Sequence, residues 1–429
     1  MPDGFRSLEE QTIYYTLSLT WVWYFLGAMY MVPPVIGWLL ATLWLKRVIT
    51  GEQKRGVPYL IVIWWAAMLI MEVALIVGHL NWSLGIPTMI KSSVGWAKGW
   101  ALMGVFGLIG GAMQIRADVL SRAATNLAIQ TLILIPLFVV APIVGIAGTL
   151  YHSPLMVLGG PGPEYFEIQL YSKDFSGAVR WSFFAPWAPA AAVAFGVLAP
   201  LILRDKSLAR RTLGLLAVVM VVLMSKSRLG MVSIPISLAG AMLMSQVTRP
   251  KILFAGAVLA LAVGLMGEPL HHQFELRKAE IGDMRADSTF VRAALERIAL
   301  YRWRHEAPVW GHGVVEPGPA IVEEMPIGSH HSWYGLLFVK GVVGFIALLV
   351  PLVVSFLFFF ARSQKSRNAR TALGIILFFI LTTFTENVEM LAYMMWPAFV
   401  MFGIAARERF FNPFRHPLGL HDPNKPSTL

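Results

Sequence analysis

The sequence predicts an all-α polytopic membrane protein of about 12 transmembrane helices with one large, partly helical extracytoplasmic loop. Three observations carry this. The 429 residues are 57% hydrophobic and only 14% charged, and a soluble chain of this size would split into smaller cores to hide so much apolar surface. Several apolar runs approach or exceed the ~20 residues a helix needs to cross hydrocarbon. Lysine and arginine concentrate in every second short connection, the pattern that orients helices in a bilayer.

Taken in order, apolar segments fall near 12–31, 35–46, 57–80, 94–115, 127–149, 181–203, 211–226, 229–245, 252–267, 341–361, 371–385 and 389–405. Residues 12–46 run almost without a break. One helix over them would reach about 50 Å at ~1.5 Å per residue, well beyond ~30 Å of hydrocarbon. Pro33 and Pro34 sit inside that run, where two missing amide donors and ring clashes interrupt a helix. A hairpin of two rather short spans follows, giving twelve crossings; one strongly tilted span in their place gives eleven.

The opening MPDGFRSLEEQ lacks the basic, apolar and small-residue regions of a cleaved export signal, so the first span is expected to act as an uncleaved insertion signal. Cysteine is absent, which excludes disulfides, thiol catalysis and thiolate metal sites. The formal charge of +11 suits membrane edges rather than nucleic acid, because no basic run is interleaved with aromatics in a polar segment.

The connections KRVITGEQKR, IRADVLSR, RDKSLARR, TRPK and RSQKSRNAR hold sixteen basic residues, whereas the alternate short connections hold six: Lys91, Lys98, Lys173, Arg180, Lys226 and Arg228. The first set, with both termini, is therefore expected in the cytoplasm. The loop of about 30 residues after Thr149, the SKSR turn, the segment from Gly267 to His331 and the TEN turn at 385–387 then share the outer face. The chain accordingly divides into nine spans within 1–266, a loop domain over 267–331, an interfacial helix with three further spans within 332–406, and a tail over 407–429. A loop of about 60 residues is too long for a mere connector, and loops of that length are usually functional.

That face gathers the groups fit for chemistry. His330 and His331, in GSHHSWYGLL, precede an interfacial helix that enters a span near Gly341, and imidazole is the side chain best suited to take a proton near neutral pH. Arg228 and Lys226 lie in the polar break of MSKSRLGM, Arg180 begins another span in GAVRWSFFAPW, and Arg292 lies in RADSTFVRAALERIAL with Arg285 a turn or two earlier. Arginine stays charged, and its planar fork grips phosphate oxygens in pairs. Several arginines and a histidine on one face point to a lipid-linked phosphate or diphosphate with chemistry beside it. Read singly, each is an ordinary membrane-edge charge or interfacial ring. Glu72 in LIMEVALI is a lone mid-span acid, and Glu386 and Glu389 of TENVE either orient the histidine or cap the last two spans. His271, His272, His330 and His331 lack the spacing of a zinc site, so neither a metal nor a cofactor is expected. GGPGPE and GHGVVEPGPA are turn-rich loops without the helix of a phosphate cradle.

Three motifs follow one another between residues 225 and 345: the SR of SKSRLG between two spans, RADSTFVR followed after about twelve residues by HEAPVWGHG, and HSWYGLLFVKGVVG entering a span. In this order they resemble the O-antigen ligase and polymerase superfamily. That family shows a serine–arginine turn, a D-S-x-x-x-R segment followed by a P-x-x-G-x-G turn, and a histidine–asparagine pair opening the next helix. Ser332 departs from it, standing where the family usually has asparagine, and the HH doublet makes His331 rather than His330 a matter of alignment.

The resemblance implies a bacterial inner-membrane glycosyltransferase with its active site facing the periplasm. It implies an undecaprenyl-diphosphate-linked glycan as donor and, in the ligases, a sugar hydroxyl of lipid A–core oligosaccharide as acceptor, in an inverting transfer without metal. By that likeness His331 is the general base, Arg228, Arg292 and Arg180 hold the diphosphate, and Lys226, His330, Tyr334 and Arg285 support them. A large lateral cavity, open to membrane lipids and basic at its apex, is expected beneath the 267–331 loop. An O-antigen polymerase, whose acceptor is a second lipid-linked repeat unit, shares this chemistry. A lipid-linked glycan flippase would share only the basic cavity. It should show paired half-spans or ionisable groups at mid-membrane, and the sequence clusters its charges on one face.

Overall fold

The computed structural model describes residues 4–53, 56–173, 177–265, 286–322, 324–328 and 331–408, and 72% of the chain is helix. The first helices are α1 (Leu8–Ser18), α2 (Thr20–Phe25), α3 (Val32–Ile49), α4 (Tyr59–Asn81), α5 (Ile86–Lys98), α6 (Trp100–Ala112) and α7 (Ala117–Ile143). There follow α8 (Ala188–Ile202), α9 (Leu208–Met224), α10 (Arg228–Met244), α11 (Pro250–Leu265), α12 (Ala286–Glu306), α13 (Ser332–Ser363), α14 (Arg367–Thr383) and α15 (Val388–Ala406). Among the described residues α3, α4, α7, α13 and α15 are long and apolar enough to cross a membrane, and α8 and α10 are shorter apolar helices.

The first apolar run does divide, but ahead of its prolines. The backbone leaves helical geometry at Leu19 (φ −99°, ψ 18°), and Gly27 turns the chain at φ +67°. Pro33 and Pro34 then sit in the first turn of α3, where a missing amide is harmless because the first N–H groups of a helix have no partner anyway. The run at 94–115, expected as one span, breaks instead at Gly99 (φ −114°, ψ −101°) into α5 and α6. Bulk explains the choice of glycine, since a Cβ there would lie 2.8 Å from Cγ of Glu389.

The mostly helical architecture agrees with the all-α expectation, with a few short strands added to it. Between α7 and α8 lie four short strands, β1 (Thr149–His152), β2 (Glu167–Gln169), β3 (Ser172–Lys173) and β4 (Val179–Arg180). β1 pairs antiparallel with β2, and β3 with β4, setting Ser172 opposite Arg180. Strands this short give no hydropathy signal. They are fastened to the bundle by side chains instead: the Tyr24 hydroxyl donates to the Gln169 carbonyl (2.8 Å) and accepts from the Gln169 amide (2.9 Å).

At the centre, α6 and α15 touch backbone to backbone. A Cβ on Gly110 would lie 2.0 Å from the Val400 carbonyl oxygen, and one on Gly403 would lie 2.2 Å from that of Gly107. Helices in lipid gain no hydrophobic drive by associating, so small residues that permit close packing take over. Every residue of α6 is buried, and all of α15 but Glu389 and Met390.

The lysine- and arginine-rich connections meet at one end of this bundle. Glu9 pairs with Arg47 and Glu10 with Arg116 (2.8 Å). Asp118 takes both Arg204 (3.1 Å) and Lys206 (2.9 Å), and Asp205 takes Arg210 (3.2 Å). Arg367 reaches the Arg204 carbonyl (2.9 Å), and Gln364 reaches that of Met244 (2.5 Å).

Candidate functional site

The other end carries the residues singled out by the motifs. α9 stops at Ser225 and α10 starts at Arg228, with Lys226 between them in the left-handed region (φ +50°). Ser227 caps α10 by accepting from the Gly230 amide (3.2 Å). So tight a reversal leaves Lys226 and Arg228 exposed. Arg180 joins them from β4, its Nη2 donating to the Ser225 carbonyl (3.1 Å). The next residue, Trp181, donates its indole N–H to the Phe138 carbonyl (2.7 Å), which fixes the strand against α7.

His331 caps α13. Its Nδ1 accepts from the Trp333 amide (3.2 Å), so in the neutral ring the proton resides on Nε2. The ring lies on Tyr334 (centroids 4.2 Å apart) and against the edge of Phe384 (5.9 Å). Burial pulls its imidazole down to about 4. Ser332, the departure from the family pattern, has a clear task. Its buried hydroxyl donates to the Glu386 carbonyl (2.6 Å) and accepts from the Val388 amide (3.1 Å), joining the TEN turn to the His331 cap.

Glu386 is the group that sequence reasoning undervalued. Its residue is only 5% exposed, and burial pushes the carboxyl up to about 7 against the opposing pull of Arg292 and the Trp187 side chain. Arg292, exposed on α12, is therefore within electrostatic reach of the TEN turn. Trp187 immediately precedes α8, which packs against α10, α14 and α15. The starts of α8, α10 and α15 and the end of α14 thus form one rim carrying Arg228, Trp187 and Glu386. Among the described residues Lys226, Arg228 and Arg292 form no ion pair, in contrast to Arg47, Arg116, Arg204 and Arg210 at the opposite end.

Below that rim the P-x-x-G-x-G turn, Pro308–Gly313, explains its own composition. α13 breaks at Gly341 (φ +61°, ψ −161°), which strips two hydrogen bonds from the helix. The turn replaces both. The amides of Val342 and Val343 donate to the Pro308 and Val309 carbonyls (3.0 and 3.3 Å), while the Phe338 and Val339 carbonyls accept from the His312 and Gly313 amides (both 2.9 Å). A Cβ on Gly311 would strike Val339 at 2.4 Å, and one on Gly313 would strike the His79 amide at 2.7 Å. His312 is stacked between Trp82 and Phe338, and its Nε2 meets Glu306 (2.8 Å). A cavity of about 300 Å³ opens beside the turn, lined by Asn81, Trp82 and Glu306–Gly311.

The structure therefore brings Arg180 to the SKSR turn and His331 to the TEN turn, places Tyr334 beneath His331, and sets Arg292 over Glu386. Arg285, His330, His271 and His272 lie outside the described residues, as does much of the segment under which the lateral chamber was expected. Charge is not confined to one face. Buried Lys340, about 13 Å along the helix from His331 at ~1.5 Å per residue, lies in electrostatic reach of Glu389 and Glu72. Glu72 thus has a cationic neighbour that its sequence context did not reveal. Among the described residues no group of three or more histidines and carboxylates is arranged to hold a metal. No known protein family and no curated protein matches the chain.

Proposed function

We propose that this protein is a bacterial inner-membrane glycosyltransferase of the O-antigen ligase type, moving glycan from undecaprenyl diphosphate to a sugar hydroxyl of lipid A–core oligosaccharide. On this reading the chain crosses the membrane twelve times, with α1–α2 and α5–α6 each counting once. The paired, basic end lies in the cytoplasm with both termini, and the His331 rim faces the periplasm. One observation carries the proposal. At the basic end Arg47, Arg116, Arg204 and Arg210 are paired with carboxylates, whereas Lys226, Arg228 and Arg292 project from the rim without an ion pair among the described residues, and Arg292 lies in electrostatic reach of the buried Glu386 carboxyl. Exposed guanidinium groups set in that way suit a diphosphate.

The acceptor oxygen attacks the anomeric carbon as the bond to the diphosphate oxygen breaks, and the departing electron pair is stabilised by Arg228, Arg292 and Arg180. One such displacement inverts the anomeric centre and needs no covalent sugar–enzyme intermediate. The test is transfer by the purified protein, given a polyprenyl-diphosphate glycan and either lipid A–core or a second lipid-linked repeat unit. Product on lipid A–core supports the ligase, and product on the repeat unit makes the protein a polymerase. Translocation of the donor without any bond formed would make it a transporter, a role that buried Lys340, with Glu389 and Glu72 in its electrostatic reach, would serve.

A further inference from the structure

We propose that the Glu386 carboxylate, rather than the His331 imidazole, takes the proton of the acceptor hydroxyl, while His331 offers an Nε2–H hydrogen bond in the same site. This rests on the glycosyl-transfer reading above and names the base within it.

The geometry at His331 argues against a base there. A neutral imidazole has one lone pair on nitrogen to offer, and in His331 that lone pair, on Nδ1, already accepts the Trp333 amide. Turning the ring to release it would strip α13 of its cap and undo the stacking on Tyr334. The outward nitrogen is a donor, suited to an acceptor-sugar or phosphate oxygen.

Glu386 has the complementary properties. It lies on the turn that the Ser332 hydroxyl ties to the His331 cap, so the carboxyl and the imidazole are positioned by one hydrogen-bonded unit. It is enclosed but not sealed, at 5% exposure, and among the described residues no salt bridge quenches it. The charged and titratable groups facing it are Arg292 from α12 and Tyr165 from the loop between β1 and β2, with Glu164 next to Tyr165. His331 faces the same turn from the start of α13. Burial lifts the carboxyl to about 7, near the pH at which a general base is both deprotonated and basic enough. In the step itself the acceptor oxygen forms its bond to the anomeric carbon, and the carbon–oxygen bond to the diphosphate breaks with its electron pair. The hydroxyl proton passes to the Glu386 carboxylate and leaves to water after release.

The experiment uses the full chain in nanodiscs, with glycosyl polyprenyl diphosphate and lipid A–core, and measures kcat and KM against pH. Glu386→Gln should lower kcat by about 10²–10⁴-fold, leave KM for the donor within a few-fold, and abolish the rise in rate through pH about 7 expected of the native protein. Glu386→Asp should recover part of the loss. His331→Asn keeps an oxygen to cap the Trp333 amide and an N–H to donate but has no base, and it should lower kcat by no more than about tenfold. Equal donor binding by native and Glu386→Gln protein guards against a folding defect. Native activity with a Glu386→Gln variant that keeps its rate and its pH limb overturns the assignment, as does a His331→Asn variant disabled by the factor expected for a lost base. Absence of any transfer by native protein sinks the glycosyltransferase reading itself, and the assignment with it.

Discussion

Replacing Gly341 by alanine tests whether the break in α13 and the Pro308–Gly313 turn form one device. The native backbone there (φ +61°, ψ −161°) lies in territory nearly closed to residues with a Cβ, at a cost of about 1–3 kcal/mol. The new methyl would also lie 2.2 Å from the Val309 carbonyl oxygen, so the turn must retreat. If the helix straightens, it regains two internal hydrogen bonds and loses the four it shares with the turn. The net deficit of two bonds is worth about 1–3 kcal/mol. That deficit is a cost of undocking in native protein and variant alike, so the shift between them comes from the strain of about 1–3 kcal/mol, which raises the undocked population of residues 307–316 by about 5–150-fold at ~1.4 kcal/mol per tenfold. Limited proteolysis and amide exchange in nanodiscs read this directly. Expected are faster cleavage and exchange confined to that stretch, with α6 and α15 unchanged. A Gly341→Ala protein as protected there as the native one would refute the coupling.

Arg228→Ala and Arg292→Ala should each cut transfer by about 10²–10³-fold and weaken donor binding in a direct lipid-binding assay; unchanged affinity and turnover in both would remove the diphosphate clamp. Ser332→Ala strips partners from a buried carbonyl and a buried amide. It should cost about 1–3 kcal/mol, visible as a lower melting temperature. The two shifted groups at the rim oppose each other in pH. His331, held down at about 4, makes folding more favourable as pH rises toward the ordinary imidazole range, whereas Glu386, held up at about 7, makes it less favourable over the interval from the ordinary carboxyl range upward. Melting of His331→Asn should therefore fall as pH rises from about 4.5 to 7, and that of Glu386→Gln should climb; a rising slope in the first would contradict the Glu386 shift, and a falling slope in the second the His331 shift.

Much of the arrangement could be read from the amino acids. The alternating basic connections predicted which segments share an end, and contacts such as Arg204–Asp118 and Arg367 on the Arg204 carbonyl gather them there. That the first run is broken and that a helix begins after His331 were legible from length and local pattern, although the break fell at Leu19 and Gly27 rather than at the prolines. What escaped were features decided by distant packing. The break at Gly99 falls where the distant Glu389 leaves no room for a Cβ. Strands β1–β4 are too short to register against hydrophobic surroundings. The importance of Glu386 depends on Trp187 and Arg292, nearly 200 and 94 positions away in the chain, and a capping hydrogen bond two residues long hid the tautomer of His331.

The enclosure of α6 and α15 has a further consequence. Helices that meet lipid must tilt, stretch or deform the bilayer when its thickness changes, but this pair is surrounded by protein almost everywhere. Glu386 stands two residues ahead of α15, on a pillar insulated from hydrophobic mismatch. Membranes thinned or thickened by altered lipid composition should disturb the outer helices first, shifting the ends of α10 and α13 that carry Arg228 and His331 while the turn that carries Glu386 keeps its place.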